Sequence, residues 1–311
     1  MTSISIPKIA ILMATYNGEK YLEWQLKSFL DQTHKHWKIA VSDDGSTDCT
    51  LSILNDFQKE LGNERVSLFS GPKQGHSKNF LSLVCNNDVT ADYYAYSDQD
   101  DIWEIDKLER AIESIKKVPS DIPALYCGRT TLFDDNGKIL GYSKLFTKTP
   151  CFQNALVQSI SGGNTMVFNQ AARELLQKVR TDVAIRSHDW LSYLIISGCG
   201  GFVFYDSYPS LRYRQHNNNL IGMNNTWTAK LFRIRQLLQG RFKNWNEQNR
   251  IILSPLYPYL TPENQRIFDQ FVKAKHAWLL PRLFGFLKSG VYHQTLFGNF
   301  GLMVAALFKK I

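Results

Sequence analysis

The sequence predicts an α/β chain: a mostly parallel sheet with helices on both faces, followed by a C-terminal helical region. Short β-rich runs alternate with amphipathic helical patterns through the first half, an order that builds a parallel sheet covered on both sides. A polar block follows each of three strand-like runs, at the carboxyl ends where open parallel sheets bind their ligands. The chain has 311 residues, 44% hydrophobic and 21% charged, enough for a substantial core or two modest domains.

The first expected strand is the apolar run Ile9–Ala14. Leu22, Leu26, Phe29 and Leu30 then recur at helical spacing, and Trp37–Ser42 reads as the second strand. Leu51, Leu54, Phe57 and Leu61 mark the next helix, Arg65–Ser70 the third strand and Tyr93–Ser97 the fourth. Leu108, Ile112 and Ile115 give a further helix, with strands at Ala124–Arg129, Phe202–Tyr205 and Ser210–Tyr213. Helices are expected around Ala171–Val179 and from near His188. From about Trp227 strand signals fade, and helices are broken at Pro255, Pro258, Pro262 and Pro281. The expected division is an α/β domain over residues 1–226 and a helical region over 227–311, with no internal repeat.

The net charge of +8 belongs to one part of the chain. Residues 227–311 hold 13 Lys/Arg against Glu247, Glu263 and Asp269, whereas residues 1–226 carry a net −2. Aromatic and aliphatic side chains are interleaved with those cations, among them Trp227, Leu231, Phe232, Leu237, Phe284 and Leu287. That composition fits a helix lying on an anionic membrane face, and equally a helical subdomain with a solvated basic face. Ser289–Phe308 lacks charges, but His293, Gln294, Asn299 and glycines interrupt it, favouring an interfacial or re-entrant segment over a spanning helix.

Five cysteines, Cys49, Cys85, Cys127, Cys151 and Cys199, are odd in number and widely spaced, which predicts neither a disulfide framework nor a zinc site. The apolar run near the N-terminus is too short for a signal peptide, so the α/β part is expected in the cytoplasm.

The three polar blocks are Thr15-Tyr16-Asn17-Gly18, Asp43-Asp44-Gly45-Ser46 and Asp98-Gln99-Asp100-Asp101. All three are expected to open on one edge of the sheet. The chain lacks GxGxxG after a strand, GxxxxGK[ST], HExxH and GxSxG, which removes the usual support for dinucleotide, P-loop, zincin and α/β-hydrolase chemistry. Asp98 and Asp100 are two apart at a strand end, where extended geometry points both the same way. Such a pair suits Mg²⁺ or Mn²⁺, hard cations that share oxygen ligands with phosphates. The structural alternative for each acidic block is a turn leading into a helix.

The stretch TYNGEKYLEWQLKSFLDQT, then VSDDGSTDCT, then YSDQDDIWEIDKL, in that order and spacing, resembles the inverting glycosyltransferases of family 2, which have the GT-A fold. The similarity covers about residues 7–220. The DQDDIW form looks like bacterial members that build O-antigen, capsule or exopolysaccharide, rhamnosyltransferases included.

The resemblance implies that Thr15, Tyr16 and Asn17 line a nucleotide pocket and that Asp43 accepts a hydrogen bond from a pyrimidine N3–H, either uracil or thymine. Gly75 and Lys78, in GHSKNF, would lie near the diphosphate, with lysine where arginine is commoner. Asp98 would contact the ribose and Asp100 the metal, with Asp101 supporting either. Ser187-His188-Asp189-Trp190 matches the family's acidic motif at a helix start below the acceptor site, making Asp189 the expected base. As a helix N-cap, Asp189 would serve structure alone. His216, in Tyr213–Asn217, matches a late loop that closes over the diphosphate and can supply a metal ligand. Gly162 and Gly163, with Trp190, would lie on the acceptor side.

The implied activity is inverting transfer of a sugar from a UDP- or dTDP-sugar, dTDP-rhamnose among them, to a saccharide acceptor. That acceptor would be lipid-linked, in synthesis of bacterial surface polysaccharide, with the enzyme peripheral on the inner face of the cell membrane and no nucleic-acid partner. Acceptor hydroxyls are poor nucleophiles until a carboxylate takes their proton, so one base and one metal suffice. The competing readings are a sugar-nucleotide nucleotidyltransferase, for which TYNGEK offers no triphosphate loop, and a non-enzymatic membrane- or polyanion-binding module, which leaves the carboxylate blocks unexplained.

Overall fold

The computed structural model describes residues 6–180, 182–215 and 241–311. Its centre is β1 (Ile9–Thr15), apolar on both faces because helices cover both. β1 pairs in parallel with β2 (Trp37–Asp43) and β4 (Tyr93–Ser97), and β2 with β3 (Val66–Ser70). Each of these strands matches its sequence expectation to within a residue. Because they run in parallel, the carboxyl ends of β1, β2 and β4 share one edge, with Thr15 opposite Asp43 and Met13 opposite Ser97.

Helices α1 (Leu22–Leu30) and α2 (Thr50–Leu61) occupy the expected segments, and α3 (His76–Cys85) links β3 to β4. The sequence reading did not include α3. It buries Ser77 and Asn79 beside Phe80, Leu81, Leu83 and Val84, which hides the apolar period. Asn79 tolerates burial because its Nδ2 donates to the Ser42 carbonyl at 2.7 Å.

Beyond β4 the sheet becomes mixed. The elements are β5 (Ile102–Trp103), α4 (Lys107–Ile115), β6 (Ala124–Phe133), β7 (Ile139–Tyr142), α5 (Phe152–Ala155), a 3₁₀ turn at Gly163–Thr165, β8 (Val167–Asn169), α6 (Gln170–Leu176), α7 (His188–Gly198) and β9 (Phe202–Arg214). The strand order is β3-β2-β1-β4-β8-β6-β9-β5, with β7 on β6. β8 runs antiparallel between β4 and β6, β9 lies parallel to β6, and β5 runs antiparallel to β9. The strands expected at Phe202–Tyr205 and Ser210–Tyr213 are one strand. Register shifts on β6 around Arg129 absorb the interruption that contains Pro209.

The C-terminal elements are α8 (Arg241–Leu256), α9 (Pro262–His276), α10 (Leu279–Ser289) and α11 (Leu296–Leu307). Pro262 opens α9 behind Thr261, whose hydroxyl accepts from Asn264 N at 3.2 Å, and Pro281 lies in the first turn of α10. No helix among the described residues is long and apolar enough to cross a membrane. The part of the basic segment from Trp227 to residue 240 lies outside the described residues.

Two cores flank the sheet. On one face Ile11, Met13 and Ile39 pack with Leu22, Phe29, Leu54, Leu108 and Ile112. On the other, Leu12, Tyr94 and Phe168 share one cluster with Phe80, Leu194, Leu253, Phe271, Phe286 and Leu302. The C-terminal helices therefore complete a core that the sheet begins.

Candidate active site

The common edge of β1, β2 and β4 gathers the polar blocks. Thr15 ends β1 and donates from its hydroxyl to Asp43 Oδ1 at 2.9 Å, across two buried strand ends. The Asp43 carboxylate also accepts from Ser46 Oγ at 2.5 Å and from the Gly45 and Ser46 amides at 3.1 and 2.8 Å. Four donors fix its position, two of them main-chain groups of the turn that follows β2. Asp44 is held by the amides of Lys73 and Gly75, at 2.6 and 2.9 Å, tying that turn to the start of α3.

Tyr16 lies on the surface, and its backbone forms a reciprocal pair with the Gln99 side chain: N–H to Oε1 at 2.9 Å and carbonyl from Nε2 at 3.0 Å. Gln99 thereby joins the first and third polar blocks. Asn17 takes a left-handed φ of 47° and accepts from the Thr47 amide at 2.9 Å. Gly75 precedes α3 with φ 87°, a conformation that favours glycine, and Lys78 sits in the first turn with Nζ 2.8 Å from Gln74 Oε1.

After β4, Asp98, Asp100 and Asp101 bring one carboxylate oxygen each to within 4.8 Å of one another. Asp98 and Asp100 are half-buried and Asp101 is fully buried. Burial, then the charges of Asp100 and Asp189, push the Asp98 carboxyl up to about 7, against the pull of Lys107. Asp101 is likewise raised well above the carboxylate range by burial and by Asp100 and Asp98. Three crowded carboxylates of this kind fit a hard divalent cation, which would relieve their repulsion and accept their oxygen ligands.

Asp101 is the anchored member. Asn164 Nδ2 donates to it at 2.5 Å and the Arg214 amide at 3.3 Å, while Arg214 Nε donates to the Asp100 carbonyl at 3.1 Å. The Arg214 guanidinium is packed among Tyr21, Trp24 and Phe133. Lys107 is fully buried, its Nζ 3.3 Å from the centre of the Trp103 ring; burial pulls its pKa well below the ordinary lysine value, against the charges of Asp101 and Asp98.

Asp189 lies in the first turn of α7, buried, and accepts from the Trp190 amide at 2.6 Å. The preceding Ser187, not Asp189, occupies the N-cap position. Burial raises the Asp189 carboxyl, with Ser187, the Trp190 amide and His76 opposing. Its charge in turn raises Asp98, so Asp189 and the acidic cluster share one electrostatic site. Gly163 lies directly against the buried His188 ring, which stacks on Phe80 with centroids 3.9 Å apart. Gly162 adjoins the Asn164 side chain. The Trp190 ring belongs to the core, and its indole N–H donates to the Ala155 carbonyl at 2.7 Å. His216 lies outside the described residues.

Gln99, Asn164, Arg214, Lys107 and His188 fall within segments that the sequence reading singled out, but none of them had a role of its own there. Lys107 alone carried a signal, since it stands at the four-residue spacing of Ala111 and Ile115 on the buried face of α4. The others are found through contacts distant in sequence.

The fold is that of the GT-A glycosyltransferases. It aligns with S. aureus TarS 1–349 in complex with UDP at a TM-score of 0.54 and 14% identity, covering 91% of this chain and 90% of that one. Against mannosyltransferase PcManGT from Pyrobaculum calidifontis, in complex with GDP-Man and Mn²⁺, the TM-score is 0.52 at 17% identity, covering 99% and 86%. Residues 10–176 match the model of glycosyl transferase family 2, and the chain belongs to that family. Its relatives include the dTDP-rhamnosyl transferase RfbG of Shigella flexneri, 32% identical over 71% of this chain and 78% of that protein. The putative teichuronic acid biosynthesis glycosyltransferase TuaG of Bacillus subtilis is 28% identical over 72% and 84%.

Proposed function

We propose that the protein transfers a sugar, with inversion, from a UDP- or dTDP-sugar to a lipid-linked saccharide during assembly of a bacterial surface polysaccharide. We place it on the inner face of the cell membrane. The observation that carries the transfer reading is the cluster of Asp98, Asp100 and Asp101 on the same sheet edge as the Thr15–Asp43 pair. RfbG, named for dTDP-rhamnosyl transfer, supports dTDP-rhamnose as a donor, and the UDP and GDP-Man complexes of the structural neighbours support a nucleotide sugar.

In this reading Thr15, Tyr16, Asn17 and Asp43 hold the nucleoside, and Asp98 contacts the ribose. Asp100, with His216, would hold Mg²⁺ or Mn²⁺. The bound cation supplies charge neutralisation for the diphosphate. Gly75 and Lys78 add the α3 N-terminus and one ammonium on the same side. Asp189 takes the acceptor hydroxyl proton as that oxygen attacks the anomeric carbon. The new C–O bond forms on the face opposite the breaking bond, whose electron pair departs with the nucleoside diphosphate. A buried carboxylate of raised basicity suits that role. Gly162, exposed, lies on the acceptor side, the space at Gly163 is taken by the His188 ring behind it, and Trp190 supports α7 from beneath.

The test is a donor panel on purified protein, scoring release of UDP or dTDP with and without Mn²⁺. Cation-stimulated release from one class of nucleotide sugar is expected; no release from any donor, in the presence of a lipid-linked acceptor extract, would refute the reading.

A further inference from the structure

The last two helices carry a surface that the core does not use. α10 turns Leu280, Phe284 and Leu287 outward at helical spacing, 54, 69 and 64% exposed, while Phe286 and Ser289 face inward. α11 exposes Leu296, Phe297 and Phe300, 88, 63 and 68% exposed, and buries Leu302, Ala305 and Ala306. The two helices pack on one another. Large apolar side chains occur singly on ordinary surfaces, whereas contiguous ones mark a contact.

Charge selects the occupant. Residues 278–311 contain no Asp or Glu, and Lys288 directly follows the exposed Leu287 while Lys309 and Lys310 follow the exposed Leu307 and Phe308. A second copy would bring like lysines together, whereas an anionic bilayer offers phosphates to the lysines and acyl chains to the phenylalanines. At 11 and 12 residues the helices are too short to span and suit an in-plane position.

The turn between them is fixed to the acceptor side of the enzyme. The Tyr292 carbonyl accepts from Asn154 Nδ2 at 2.9 Å, and the Gln294 amide donates to Gln158 Oε1 at 2.8 Å. Gln294 also exchanges two hydrogen bonds with the Lys148 backbone, at 3.0 and 3.2 Å. Residues 148–158 lead directly into the Gly162–Gly163 segment.

We infer that α10 and α11 form an in-plane contact with anionic lipid and that this contact brings the Gly162–Gly163 side of the site to the bilayer. The inference rests on the membrane reading above and narrows the contact within residues 227–311 to the outer surface of α10 and α11.

Flotation of the full chain with phosphatidylethanolamine–phosphatidylglycerol vesicles, and with phosphatidylcholine vesicles, tests it. The wild type should float with the anionic vesicles. Combined Phe284→Gln, Phe297→Gln and Phe300→Gln should cut partitioning at least tenfold at low and high salt. Combined Lys288→Gln, Lys309→Gln and Lys310→Gln should remove the salt-sensitive part, about fivefold per lysine. If the triple phenylalanine variant melts early, Phe300→Gln alone keeps the test, with a smaller loss expected. A wild type that stays at the bottom, or a phenylalanine variant that floats like it, would overturn the inference. So would a dimer in solution that the phenylalanine substitutions dissociate without any vesicle binding. Transfer to a water-soluble saccharide, measured on the same variants, should be unchanged. A wild type that floats yet uses no lipid-linked acceptor would sink the acceptor assignment and leave the lipid contact standing.

Discussion

Asn164 donates from Nδ2 to Asp101 Oδ2 at 2.5 Å, joining the glycine pair before β8 to the acidic cluster after β4, 63 residues earlier. Asp101 is fully buried among like charges, so this amide is one of the few groups that compensate it. Asn164→Ala should destabilise the fold by about 1–3 kcal/mol, the range for a buried acceptor deprived of its donor. Asn164→Asp should be worse, because it adds a fourth carboxylate. Urea melts of both variants measure this, and equal midpoints for Asn164→Ala and wild type would refute it.

Asp100 belongs to the proposed metal site, and its removal lowers repulsion in the cluster. Asp100→Asn should weaken Mn²⁺ binding roughly tenfold or more while the metal-free protein melts no earlier than wild type. Calorimetric titration with Mn²⁺, alongside EDTA sensitivity of turnover, reads both effects. Full activity with unchanged EDTA sensitivity would remove Asp100 from the site.

Asp189→Asn keeps an oxygen acceptor for the Trp190 amide but cannot take a proton. Turnover should fall about 10²-fold or more with donor affinity near wild type. A lowered melting temperature with near-normal turnover per folded molecule would instead assign Asp189 to the first turn of α7 alone.

His188 is buried against Phe80 and Tyr96, and neither ring nitrogen meets a hydrogen-bond partner among the described residues. Burial holds its pKa well below the ordinary 6.5. The unfolded chain therefore binds a proton at a pH where the folded chain does not. Stability from this residue is complete above about pH 6.5 and falls by up to about 1.4 kcal/mol per unit as pH drops toward the folded pKa. His188→Gln should flatten that limb between pH 7 and 5 in thermal melts, and an unaltered slope would exclude His188 as its source.

Gly163 allows no side chain: a Cβ there would lie 2.1 Å from His188 Nε2. Gly163→Ala should cost about 1–3 kcal/mol by overpacking, since the stacked His188 ring has little room to withdraw. A melting temperature equal to wild type would show that it does withdraw.

Local signals made much of this legible in sequence. Alternating apolar runs gave β1 to β4 to within a residue, and the blocks at Thr15, Asp43 and Asp98 lie on one edge because parallel strands align their carboxyl ends. α3 was hidden because Asn79, a polar residue, is buried on a main-chain carbonyl and blurs the helical period. β9 read as two strands because a register shift, invisible within one strand's own sequence, accommodates Pro209.

The sequence by itself determined the α/β class, the strands β1 to β4 with the helices α1 and α2, and the three polar blocks that mark the family, since these depend on residue periodicity and spacing. Only the tertiary structure decided that Asn164 and Arg214 hold Asp101, that Lys107 backs the cluster, and that the C-terminal helices complete one core of the sheet. It also decided which apolar residues of α10 and α11 stay outside that core. The physical reason is that burial and electrostatics are set by distances between residues far apart in the chain, and no local pattern encodes which of them meet.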